Sequence, residues 1–166
     1  MKSHWTIALL VAAGVTAFAA APASAQTFTL TANLTGDGEG SNTTNGVITG
    51  AFGDATIVVD LGARTVTYTV RVFNLPSGVT ASHIHVGAAR SGSAPVVVTF
   101  APPVHASNDF SFTGVVKDTE FILRPDQGIR SADDMFQAIL GGNSYVNVHS
   151  DVNPGGEIRG QLSIKQ

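Results

Sequence analysis

The sequence contains no cysteine. Disulfides, thiolate metal sites and cysteine nucleophiles are therefore excluded, and apolar burial must hold the fold together. Charge is also scarce. Charged residues make up 13% of the chain, and no cluster of Lys and Arg stands out. A weakly acidic chain of this kind argues against nucleic acid, and against an anionic membrane surface, as partner. No Gly-x-Ser-x-Gly occurs, so the strained turn that presents a catalytic serine is missing. The Gly-rich run Gly36-Asp37-Gly38-Glu39-Gly40-Ser41 precedes no helix and reads as a flexible loop, not as a phosphate-binding turn. Neither a solenoid repeat nor a domain-splitting linker is visible.

The first 25 residues are set apart from the rest. Lys2 and His4 form a short polar start, Ile7 to Ala21 is an almost unbroken apolar stretch, and Ala23-Ser24-Ala25 places small residues where a signal peptidase reads. The pattern predicts a secretory signal peptide over residues 1–25, cleaved before Gln26, and a secreted or periplasmic protein. The rival reading is a membrane anchor, but the stretch is short against the ~20 residues of a span, and the cleavage site follows at once. No later segment is apolar enough to cross a bilayer, so no membrane span is expected after cleavage. Losing Lys2 leaves eight basic against twelve acidic residues over 26–166, a formal charge of −4. One domain is expected there.

That segment is rich in Val, Thr, Phe and Gly, with short β-type runs between Gly, Pro and Asn punctuation. Thr65 to Phe73 is the clearest strand: Val66, Tyr68, Val70 and Val72 share one face, and Thr67, Thr69 and Arg71 the other. Further strands are predicted at Phe28–Leu34, Val47–Phe52, Ala55–Asp60, Ala81–Val86, Val96–Phe100, Phe110–Val116, Tyr145–Ser150 and Glu157–Ile164. One short helix is expected over 131–140. Ser131 caps it, Asp133 and Asp134 lie in its first turn, Met135, Phe136, Ile139 and Leu140 form its apolar face, and Gly141-Gly142 stops it. The fold class is all-β, a Greek-key sandwich or barrel of about eight antiparallel strands.

Four histidines remain beyond the leader: His83, His85, His105 and His149. His83-Ile84-His85 puts two imidazoles on one face of a strand, about 6.5–7 Å apart, with Ile84 turned to the core. His149 has the matching phase, sharing a face with Tyr145 and Asn147. If its strand pairs beside His83 and His85, three rings can converge on one ion at about 2 Å. His105 follows Ala101-Pro102-Pro103-Val104, a stiff loop able to carry a fourth ligand. Imidazole-only ligation suits copper or zinc, with copper favoured by intrinsic affinity. Against this stands a plainer reading, in which strand histidines are hydrogen-bonded polar residues. Asp151 can orient an imidazole, although a solvated turn residue is the simpler role. Asn153-Pro154-Gly155-Gly156 reads as a turn, and Glu157 and Arg159, on one face with Ile158 between them, read as structural.

Ser82-His83-Ile84-His85-Val86-Gly87 with Pro95-Val96-Val97-Val98, and Tyr145-Val146-Asn147-Val148-His149-Ser150 with Asn153-Pro154-Gly155-Gly156-Glu157-Ile158-Arg159-Gly160-Gln161-Leu162, resemble the two signatures of the CHRD domain, the module named for chordin. The resemblance runs from about Phe28 to Ile164 and implies a small secreted single-domain member. The order of His83, His85, His105 and His149 also resembles that of copper–zinc superoxide dismutase, an eight-stranded Greek-key barrel. The histidine spacings differ, however, the zinc-site ligands have no obvious counterparts, the disulfide cysteines are missing, and the guiding arginine has no alignable place, Arg159 being only nearby. Three functions follow: a metal-binding protein, with copper or zinc as the ion; an extracellular binding or matrix module without metal, whose protein partner the sequence does not name; and a redox enzyme like a copper-only dismutase.

Overall fold

Alternation of apolar with polar residues forces extended segments to bury one face, and a single antiparallel sheet that nearly closes on itself satisfies this for almost every strand. The computed structural model describes residues 26–40, 46–87 and 93–165; the leader and Ser41 lie outside them. The strands are β1 (Thr27–Thr35), β2 (Phe52–Asp60), β3 (Thr65–Leu75), β4 (Val79–Val86), β5 (Val96–Thr99), β6 (Asn108–Lys117), β7 (Ser144–Ser150), β8 (Ile158–Gln161) and β9 (Ser163–Ile164). Their order is β5-β4-β7-β8-β1-β2-β3-β6, with β9 also on β1. Every pairing is antiparallel. Across the remaining gap Tyr68 of β3 stacks on Phe100, just past β5, at 4.1 Å between ring centroids. The Ile122 amide, after β6, donates to the Val97 carbonyl of β5 at 2.9 Å.

The core is the inside of this sheet. Val66, Tyr68, Val70 and Val72 are buried as their alternation predicts, against Leu30, Leu34, Ile57, Ile84, Val146, Val148 and Ile158. Helix α1 (Ala132–Leu140) buries Met135, Phe136 and Ile139. Its start is a reciprocal cap: the Asp134 amide donates to Ser131 Oγ at 3.1 Å, and the Ser131 amide donates back to the Asp134 carboxylate at 3.0 Å.

Three expectations need correction. Val47–Phe52 is not a strand: only Phe52 belongs to one, and it opens a β2 that runs on through Ala55–Asp60. Ile48 is 99% exposed and Ala51 is buried, but no residue from Val47 to Ala51 pairs with a neighbouring strand. The Val47 amide instead donates to Gly36 O at 2.9 Å, and the Ala51 amide to Thr49 Oγ1 at 3.1 Å. Glu157–Ile164 breaks into β8 and β9 at Leu162, whose buried side chain and amide, donating to Ser144 O, turn inward. The Gly-rich run is not a loose loop. Gly36–Glu39 forms a 3-10 turn capped by Thr35 and packs on β8, burying Glu39. A side chain at Gly38 would put Cβ 1.9 Å from the Arg159 carbonyl. Glycine there is what lets the turn lie directly on the strand.

Replacing Ser131 with Ala should cost about 1 kcal/mol of stability, because the Asp134 amide loses its acceptor. Denaturant unfolding measures this, and an unchanged midpoint would remove the capping role.

Candidate metal centre

The site is set by the register of β4 against β7. Ala81 pairs with His149, His83 with Asn147, and His85 with Tyr145. Opposed residues share a face, so His83, His85, His149, Asn147 and Tyr145 all project outward, while Ile84, Val146 and Val148 fill the core. Three of the four histidines are thereby brought together. One nitrogen from each of His83, His85 and His149 lies within 4.8 Å of the other two. His83 Nδ1 and His149 Nε2 are 3.2 Å apart, a separation two ligands of one ion also show. His85 stands further off, its ring centroid 5.6 Å from His83 and 6.5 Å from His149. It is buried, whereas His83 and His149 are half-exposed, so the centre is open on one side.

Backbone carbonyls orient two of the rings. His149 Nδ1–H donates to Pro154 O at 2.9 Å, which leaves Nε2 as an acceptor for His83 Nδ1–H. This is the arrangement metal-bound histidines commonly have, one nitrogen anchored and the other free to ligate. Asp151 is exposed and plays no part in it. The orienting group belongs to the turn that follows, which Glu157 organises: its buried carboxylate accepts from Ser150 Oγ at 2.7 Å and Asn153 Nδ2 at 2.6 Å. His85 Nδ1 lies 2.7 Å from Ala94 O, and its Nε2 3.0 Å from Asn147 Oδ1. Its ring stacks flat on Tyr145, 4.7 Å between centroids at 5°, and the Arg159 guanidinium covers that Tyr145 ring at 3.3 Å. Glu39 completes the layer by hydrogen-bonding Asn147.

His105 lies elsewhere. It sits in a turn with φ of 53° and is exposed. Its neighbours are Gly78 and Asp151, at the start of β4. From Val79, next to Gly78, to His83 is four strand residues, about 13 Å.

The electrostatics favour neutral, ligating rings. Burial, then the neighbouring His149 and His85, push the His83 pKa down to about 4. Burial also lowers His85 and His149, partly opposed by hydrogen bonds to Ala94 and Asn147 and to Pro154 respectively. Protons therefore compete with a cation less than they would at ordinary imidazoles, most clearly at His83. Burial raises Glu39 to about 7, although Arg159 and Asn147 both favour its charged form.

Tyr145, Asn147 and Glu39 are the residues of this layer whose roles the sequence left undefined, while Arg159 has the structural place its phase with Glu157 suggests. Alternation along β7 does place Tyr145 and Asn147 beside His149. Nothing in a Gly-rich run signals a buried carboxyl.

The family model of the CHRD domain matches residues 30–162, which takes in every strand of the site, and the chain belongs to that family. Comparison with curated proteins and with solved structures finds no match.

In metal-free protein the His83 ring should stay neutral until about pH 4, read as its imidazole shifts in an NMR titration. The unfolded chain takes up that proton near 6.5, so stability should fall as pH drops from 6.5 towards 4. A His83 midpoint near 6.5 would contradict the buried, mutually repelling arrangement.

Proposed function

We propose that this CHRD-domain protein binds a metal ion, copper in preference to zinc, through His83, His85 and His149. The observation that carries this reading is the convergence of three imidazoles, two of them anchored through their other nitrogen to backbone carbonyls. Three neutral nitrogen donors suit copper and zinc, and copper has the higher intrinsic affinity. His105 is assigned no place in the ligand set, since it is not among the converging groups. On binding, the proton that His83 Nδ1 shares with His149 moves to its other nitrogen or to solvent.

The half-exposed centre leaves room for a further ligand from solution. A dismutase would need a cation facing that opening. Arg159 is 2% exposed and lies against Tyr145, so binding is proposed here rather than catalysis. One observation favours a second reading, an extracellular module without metal: each of the three rings already has a hydrogen-bonding partner within the protein.

Differential scanning calorimetry with Cu(II) decides between them. A ligand at a hundredfold excess over Kd adds about 2.7 kcal/mol to the folded state. Wild type should melt higher with Cu(II), and His149→Ala should lose most of that shift. Equal melting temperatures with and without metal in the wild type would leave the module reading in first place. We also propose that the protein is exported and its leader removed. No helix among the described residues is long and apolar enough to cross a membrane. N-terminal sequencing of the exported protein should start at Gln26, and a form retaining Trp5 would mean the apolar stretch is an anchor.

A further inference from the structure

His85 has a hydrogen-bonding conflict that its two companions lack. A neutral imidazole carries one N–H, yet this ring lies between Ala94 O at 2.7 Å and the amide of Asn147 at 3.0 Å. The shorter contact takes the proton at Nδ1, which leaves Nε2 with only a lone pair. Asn147 satisfies that lone pair if its NH2 end faces His85. Its oxygen then faces Glu39, which must be the protonated, donating partner. Glu39 suits that role, being 1% exposed and pressed under Gly156, where a Cβ would stand 2.4 Å from its carboxyl oxygen. Burial favours this protonated form, whereas Arg159, and Asn147 in its opposite amide orientation, favour the charged one. The opposite amide orientation instead places a proton on Nε2. In either case the nitrogen that should ligate is already engaged. The ring cannot readily turn away, because Tyr145 stacks flat on it with Arg159 behind.

We propose that Asn147, held in place by Glu39, is a positioning residue that latches His85 in the metal-free protein, so that an ion meets His83 and His149 first and recruits His85 by displacing the Asn147 amide. This rests on the metal-binding reading above. Two things follow from the geometry. The first-met pair is the half-exposed one, already 3.2 Å apart. The third ligand is the buried one, whose recruitment costs one buried hydrogen bond, so the latch lowers affinity and penalises ions that gain little from a third imidazole.

The test is isothermal titration of the purified chain with Cu(II), for wild type, Asn147→Ala and Asn147→Thr. The threonine variant introduces a β-branched residue suited to a strand and keeps a polar hydroxyl, but lacks the amide that meets His85, so it covers the case in which the alanine variant fails to fold. Release of one hydrogen bond should lower Kd about threefold to tenfold in the variants. Ordinary loosening of a structural residue would raise Kd instead. A second readout needs no metal: the 15N shift of His85 Nε2 should move from a hydrogen-bonded value in wild type to that of a free lone pair in the variants. Wild type binding Cu(II), with variants equal or weaker, would overturn the latch and leave the metal site standing. No binding by wild type would remove the metal reading, and the latch with it. An Nε2 shift unchanged by either substitution would also overturn the latch.

Discussion

The cross-strand register of β4 and β7 is the constraint on which the site depends. Strand residues alternate between faces, so a slip of one position would send His83 and His85 into the core and Ile84 into water. Burial of Ile84, Val146 and Val148 therefore specifies, from the other side of the sheet, where the imidazoles stand. The same pairing sets His149 opposite Ala81, one step diagonal to His83. Two rings 66 residues apart in the chain are thus held within hydrogen-bonding distance. Apolar burial, the one resource a cysteine-free chain has in quantity, does the aligning.

Above that sheet lies a second, polar layer that is itself largely buried: Glu39, Tyr145, Asn147, Glu157 and Arg159. Such groups are costly to remove from water unless paired. Here they are paired in sequence, Glu39 to Asn147 to His85, and Arg159 over Tyr145 over His85. Glu157 ties the turn that presents Pro154 O to His149. The two buried glutamates thus serve different rings, one through a side-chain amide and the other through a backbone turn. Two glycines make the layer possible: Gly38 lets the 3-10 turn touch β8, and Gly156, at φ of 133°, leaves space for the Glu39 carboxyl.

Much of this was legible from local patterns. Alternation along β3 located its buried face, the Ser131 cap and apolar spacing located α1, and the phase of His83, Ile84 and His85 located the outward rings. His149 was legible for the same reason. What local pattern cannot supply is contact between distant segments. Glu39 is hidden in a Gly-rich run whose composition matches a solvated loop, and only its packing on β8 buries it. The partner of His149 is a backbone carbonyl, invisible in side-chain chemistry, and the nearer carboxylate, Asp151, faces solvent. His105 shares residue type and loop stiffness with a ligand, but its left-handed turn sets it beside Gly78 and Asp151.

The central claim is that three imidazoles from β4 and β7 hold one ion, and X-ray absorption at the copper edge of Cu-loaded protein tests it most directly. The account predicts a first shell containing three nitrogens at about 2 Å with the outer-shell scattering of three imidazole rings. A first shell of oxygens without imidazole scattering, or with that of a single ring, would contradict it.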